Sequence, residues 1–163
     1  METRFTLGRL QREHEPWRLH NFGDIPAWHP LLGMIEELGE LEDAKTTEDI
    51  KDGLADTIVF MAHFCNAMNF DLDVIATHAA ALGYRPVERK EIGKLAHHYL
   101  KREQGIRGTD AEHRANMHAA LVGIYAILLD TATAYDLTLL DAVEETWAHV
   151  KQRDWKKNAT TGT

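Results

Sequence analysis

Apolar positions recur every three to four residues along almost the whole chain, and no segment alternates strictly between apolar and polar residues. The pattern predicts helices over residues 7–19, 31–44, 46–69, 72–82, 87–104, 111–135 and 137–155, and no strand. Breaks fall where turn-forming residues gather: Gly23, Pro26 and Pro30 in the first loop, Gly83 and Pro86 near the middle, Gly105 and Gly108 later. Thr46 or Thr47 is placed to cap the third helix, and Asp49 completes a Thr-x-x-acid box if Thr46 is the cap. The expected fold class is all-α, a helical bundle.

The second and third helices differ in how their polar residues are set. In the second, Leu31, Met34, Ile35, Leu38 and Leu41 form an apolar stripe expected to face the core. Glu36 and Glu40 lie one turn apart beside it, and Glu37 neighbours Glu40 at i, i+3. The third helix is apolar nearly all round: Leu54, Ile58, Met61 and Cys65 make one stripe, and Val59 and Phe60 flank another side. Such a helix is expected to be buried, yet it carries Asp52 and Asp56 one turn apart.

A connection this short makes the two helices antiparallel neighbours. At about 3.6 residues per turn, Glu40 and Asp52 are each about one turn from the connection, and Glu37 and Asp56 about two. The five acids are therefore expected to converge. Carboxylates brought together repel one another, and a buried one is costly unless paired or bound to a cation. Hard oxygen donors without cysteine or histidine select Mg²⁺ or Mn²⁺. For Glu42, Asp43, Glu48 and Asp49 the expected role is that of solvated surface acids. A di-iron carboxylate bundle needs Glu-x-x-His pairs, and none occurs.

Composition narrows the picture. The net charge of -8 argues against nucleic acid as a general partner, while leaving room for a nucleotide held through metal ions. Cys65, the one cysteine, excludes an internal disulfide and is expected to be a packing residue in a reducing, cytoplasmic setting. No secretion signal and no apolar stretch long enough to span a bilayer is read from the sequence, so no membrane partner is expected.

The halves resemble each other, which divides the chain at 1–85 and 86–163. Gly39-Glu40-Leu41 answers to Gly93-Lys94-Leu95, and Phe70-Asp71-Leu72 to Tyr135-Asp136-Leu137. In this register Glu37 faces Glu91, Glu36 faces Lys90, Glu40 faces Lys94, and Asp52 and Asp56 face Met117 and Leu121. Only the first half keeps its acids.

The run from Leu31 to Leu41, followed by Asp52 to Asp56, resembles the MazG-like all-α nucleoside triphosphate pyrophosphohydrolases, whose pattern is Glu-x-x-Glu, a spacer, then Glu-x-x-Asp. Glu37, Glu40 and Asp56 match it. Gly53 stands where the third acid is expected, and Asp52 lies one position earlier. Further likeness lies in Trp17 with Asn21-Phe22, in Leu95-Ala96-His97 with the segment 100–108, and in Thr146-Trp147 with 150–157.

The resemblance implies a bundle of the MazG and dimeric dUTPase type, its two related halves packed as a pseudo-dimer. It implies Mg²⁺-dependent cleavage of a nucleoside triphosphate to the monophosphate and pyrophosphate. Glu37, Glu40, Asp52 and Asp56 are then the metal ligands, and Glu36 or Glu37 orients the attacking water. Trp17, Asn21 and Phe22 are candidates for the base; Lys151 and Arg153, with Lys101 and Arg107, are candidates to offset phosphate charge. His63, on the Asp56 face, is expected to be a packed histidine. The second half would stand in for a partner subunit, and a homodimer is left open. The competing class is a non-catalytic helical module that binds a nucleotide or a protein.

Overall fold

A computed structural model describes residues 4–82 and 90–163. Among these residues every regular element is helical: α1 (Leu7–Phe22), α2 (Trp28–Asp43), α3 (Thr47–Met68), α4 (Leu72–Ala81), α5 (Lys90–Gln104), α6 (Asp110–Ala134) and α7 (Leu139–Val150). The chain divides into two compact units, residues 1–73 with 132–163, and residues 74–131. The expected boundary at 85/86, and the expected helix start at Val87, lie outside the described residues.

In the first unit α3 is the central element, packed against α1, α2 and α7. Its start follows from Thr46, whose hydroxyl accepts the Asp49 N–H while the Asp49 carboxylate accepts the Thr46 N–H at 2.9 Å. Its end follows from Asn69, which takes the left-handed conformation and lets Phe70 donate back to the Cys65 carbonyl. Leu54, Ile58, Met61, Phe64 and Cys65 are fully buried, as the apolar pattern required.

Three boundaries differ from expectation. α2 begins at Trp28 rather than Leu31, because Pro30 falls in the first turn, where no N–H is needed for the helix ladder. α1 runs past Pro16 to Phe22. α7 stops at Val150 instead of continuing to Trp155: the chain turns at Lys151, and the Asp154 N–H bonds the Gly162 carbonyl.

Two burial expectations also fail. Ile35 was placed on the core stripe, yet it is 43 % exposed, and with Trp28 and Leu32 it forms an exposed apolar line on α2. The core side of α2 is instead Leu31, Gly33 and Met34, because α3 comes so close that a glycine is required at 33. In the segment read as having no apolar span, α6 meets the length and composition of one. Its Met117, Leu121, Ile124 and Leu128 are nevertheless fully buried, as in a core helix.

The helices α2, α3, α4 have 16, 22 and 10 residues, and α5, α6, α7 have 15, 25 and 12. Asn69 and Asp136 both take φ near +55°, and Phe70 and Leu137 each donate to the carbonyl five residues back. Matching these two ends sets Asp56 opposite Gly123 instead of Leu121, and Asp52 opposite Ala119 instead of Met117. Met117 and Leu121 are core residues of α6.

Candidate metal centre

The acids are positioned by two close approaches between α2 and α3. At one, the Phe60 ring lies over Gly33, where an added Cβ would meet it at 2.4 Å. At the other, a Cβ on Gly53 would stand 3.3 Å from the Leu41 Cβ and 3.5 Å from its Cα. In an antiparallel pair where 33 meets 60 and 41 meets 53, residue 37 is level with 56 or 57, and 40 with 53 or 54. The small residues draw the helices together at both points, and the carboxylates lie between.

Glu36, Glu37, Glu40, Asp52 and Asp56 line one open cleft of about 540 Å³, with Asp43 and Asp49 at its rim. All five acids singled out in the sequence are therefore brought together. Glu37 and Asp56 are half-buried; Glu36, Glu40 and Asp52 are exposed. Burial, with the charges of Asp56, Glu40 and Glu36, pushes the Glu37 carboxyl up to about 7. Burial, with Asp52 and Glu40, pushes Asp56 up to about 6, against a lowering from Arg153.

The donor set suits a hard cation, since the cleft offers carboxylate oxygens and neither His nor Cys. The raised proton affinities of Glu37 and Asp56 show negative charge without enough compensation. As the side chains stand, no group of three or more His, Cys, Asp or Glu among the described residues already forms a metal cage. The donors are of the hard-oxygen class that suits an Mg²⁺-class ion, but as placed they do not form a site for one.

At Gly53 an added Cβ would press on the Leu41 side chain, 3.3 Å from its Cβ, while the Leu41 Cα at 3.5 Å is in ordinary contact. Asp52, one position earlier, opens onto the cleft.

The flanking candidates divide. Trp17 donates its indole N–H to the Arg153 carbonyl at 3.0 Å, and Asn21 accepts the Trp155 N–H at 2.7 Å, so both hold the carboxy-terminal segment against α1. Phe22 is exposed and meets Trp17 edge-on. The Lys151 ammonium is 3.1 Å from Glu13, which also takes the Arg9 guanidinium and the Trp147 indole N–H and is thereby lowered to about 2. Arg153 remains a positive group close enough to act on Asp56. Lys101 bonds Gln104, and Arg107 is exposed in a left-handed turn; both belong to the other unit.

A buried polar cluster was not read from the sequence. Leu7, Leu10, His14, Arg18 and Asn21 form the buried face of α1, so the apolar stripe continues into polar residues at helical spacing. His14 is 1 % exposed and packs among Trp17, His63 and Trp147. His14 Nδ1, His63 Nε2 and one Arg18 nitrogen are buried without a hydrogen-bond partner. The other two Arg18 nitrogens clasp Glu15 at 2.7 Å. His63 is packed as expected, but its polar edge is unsatisfied.

In the second unit, Glu91 lies against Gly123: an added Cβ would stand 2.8 Å from its Cγ. Lys94 sits 2.5 Å from the same carboxylate. Where the first unit opposes Glu37 to Asp56 and Glu40, the second opposes Glu91 to a glycine and a lysine.

No family model, curated protein or solved structure matches the chain.

Proposed function

We infer that the chain is a Mg²⁺-dependent nucleoside triphosphate pyrophosphohydrolase of the MazG-like type, acting in the cytoplasm on free nucleotides. The observation that carries this reading is the convergence of five carboxylates on one cleft, with Glu37 protonating near neutral pH. Glu37, Glu40, Asp52 and Asp56 would hold the cation, Mg²⁺ or Mn²⁺. When bound, such an ion polarises phosphate oxygens and acidifies water.

The chain's own residues account for the remaining steps. Glu36 or Glu37 would orient the attacking water, both lining the same cleft. Arg153 supplies positive charge beside Asp56 to offset charge developing on phosphate. Along α3, His63 lies seven residues beyond Asp56, about 10 Å on the same face.

The paired lengths of α2–α4 and α5–α7 support a tandem repeat packed as a pseudo-dimer. Lys94 against Glu91 supports a second half that has exchanged its cation site for an internal ion pair. The exposed line of Trp28, Leu32 and Ile35 leaves a homodimer open. A non-catalytic nucleotide-binding module is favoured by one observation, the replacement of the third family acid by Gly53.

The deciding experiment incubates purified protein with each NTP and dNTP plus Mg²⁺ and measures pyrophosphate. Release by wild type and a loss of at least about a hundredfold in Glu40→Ala are expected. No release with any nucleotide, wild type and Glu40→Ala alike, overturns the enzyme in favour of the binding module.

A further inference from the structure

The hairpin of α5 and α6 joins through a tight loop in which Gly105, Arg107 and Gly108 all have positive φ. Thr109 and Glu112 form a reciprocal cap at the start of α6, and Arg102 of α5 pairs with Asp110 at 2.6 Å. These contacts set α5 and α6 in register at the loop, and they bring two histidines together. His98 Nδ1 lies 3.2 Å from His113 Nδ1. His113 is 2 % exposed and His98 is half-buried.

The far nitrogen of His113 decides the chemistry of the near one. Nε2 lies 3.0 Å from the Ile106 carbonyl oxygen, which can only accept, so Nε2 carries the proton. In neutral imidazole, Nδ1 of His113 is then a bare lone pair, directed at His98. A ring N–H held by a backbone carbonyl is also the usual outer support of a metal-binding histidine, fixing both tautomer and ring orientation. Two nitrogens bound at 2.0–2.1 Å to one tetrahedral ion stand about 3.3 Å apart. The observed separation already has that value. Gly108 leaves the His113 edge uncrowded, since a Cβ there would come within 3.2 Å of Nε2.

We propose that His98 and His113 form a two-histidine site for a borderline divalent transition-metal ion such as Zn²⁺, separate from the carboxylate cleft and of different metal class. Imidazole selects Zn²⁺, Ni²⁺ and Cu²⁺ over Mg²⁺. No third protein ligand joins the pair among the described residues, so water completes the coordination. The neighbouring charged or titratable groups are His97, whose ring meets that of His98 edge-on, and Glu112, whose carboxylate flanks Gly108 beside His113. An ion there ties α5 to α6 across the loop.

The test titrates the whole protein with Zn²⁺ by calorimetry in excess Mg²⁺, which occupies hard carboxylate sites. One equivalent is expected to bind, with affinity falling at least tenfold in His98→Gln and unchanged in Glu40→Gln. His98→Gln is chosen because the side chain is half-buried, and His113→Gln serves as the second variant. Nitrogen-15 spectra of the histidine side chains, taken in parallel, should show both Nδ1 signals shifting with Zn²⁺. Zn²⁺ binding unaffected by His98→Gln, or absent in excess Mg²⁺, overturns the site. So does an Nδ1–H on His98 that persists at saturating Zn²⁺, which would make the pair a simple hydrogen bond.

Discussion

Glu37 and Asp56 face each other across the α2–α3 hairpin, and both carboxyls are held above the usual carboxylate range, Glu37 at about 7 and Asp56 at about 6. Burial is the largest cause at both; the charges of Asp56, Glu40 and Glu36 add to it at Glu37, and those of Asp52 and Glu40 at Asp56. The pair describes a cleft that accepts negative charge reluctantly.

The two raised values predict an alkaline limb in the stability of the metal-free protein. Both folded-state values lie above the unfolded ones, so the stabilisation is fully present below about pH 4 and is lost as pH rises through 6 and 7. Urea midpoints in EDTA should fall between pH 5 and pH 8, and Glu37→Gln should flatten that fall. Saturating Mg²⁺ at pH 8 should restore the midpoint. A midpoint indifferent to both changes would show that the carboxylates are not coupled.

The buried histidines impose the opposite limb. Burial, aided by His63 and Arg18, lowers His14 to about 3, and burial, aided by Arg18, lowers His63 to about 4. Their stabilisation is present above pH 6.5 and is lost as pH falls through 4 and then 3. For His63 this amounts to something on the order of 3 kcal/mol, taking about 1.4 kcal/mol per pH unit. His63→Phe should move the acid unfolding midpoint, followed by circular dichroism, to lower pH. An unchanged midpoint would count against the buried pair as the acid-sensitive element.

Placing a glutamate at position 53 should harm the protein. Gly53→Glu gains about 1 kcal/mol of helix propensity but pushes Leu41 away from α3. A net loss of about 1–3 kcal/mol in denaturant unfolding is expected, the usual cost of overpacking. A stabilised variant with tighter Mn²⁺ binding would show that Leu41 yields and that position 53 can serve as a ligand.

If one site per chain does the chemistry, Lys94 is dispensable to it. Lys94→Met should release pyrophosphate at the wild-type rate and lose at most about 1 kcal/mol of stability, since the Lys94–Glu91 pair is partly exposed. A rate that falls with Lys94 would mean that the second half takes part.

Periodicity and turn residues were enough to read the helices, the Thr46–Asp49 cap and the apolar girth of α3, because these are local consequences of backbone geometry. The five acids were legible for the same reason: helical spacing and a short connection leave little freedom in where they can meet. The left-handed turns at Asn69 and Asp136 were not, since they depend on where α3 and α6 end.

What the chain alone determined, then, is the helical class and the meeting of Glu37 and Glu40 with Asp56. Tertiary packing decided the rest. It turned Ile35 outward, brought Leu41 up against Gly53, and gave Trp17 and Asn21 to the carboxy-terminal segment. It also buried His14 and Arg18 on a stripe that begins with Leu7 and Leu10. Which face of a helix meets a neighbour, and how closely, depends on partners distant in sequence, and no local pattern carries that information.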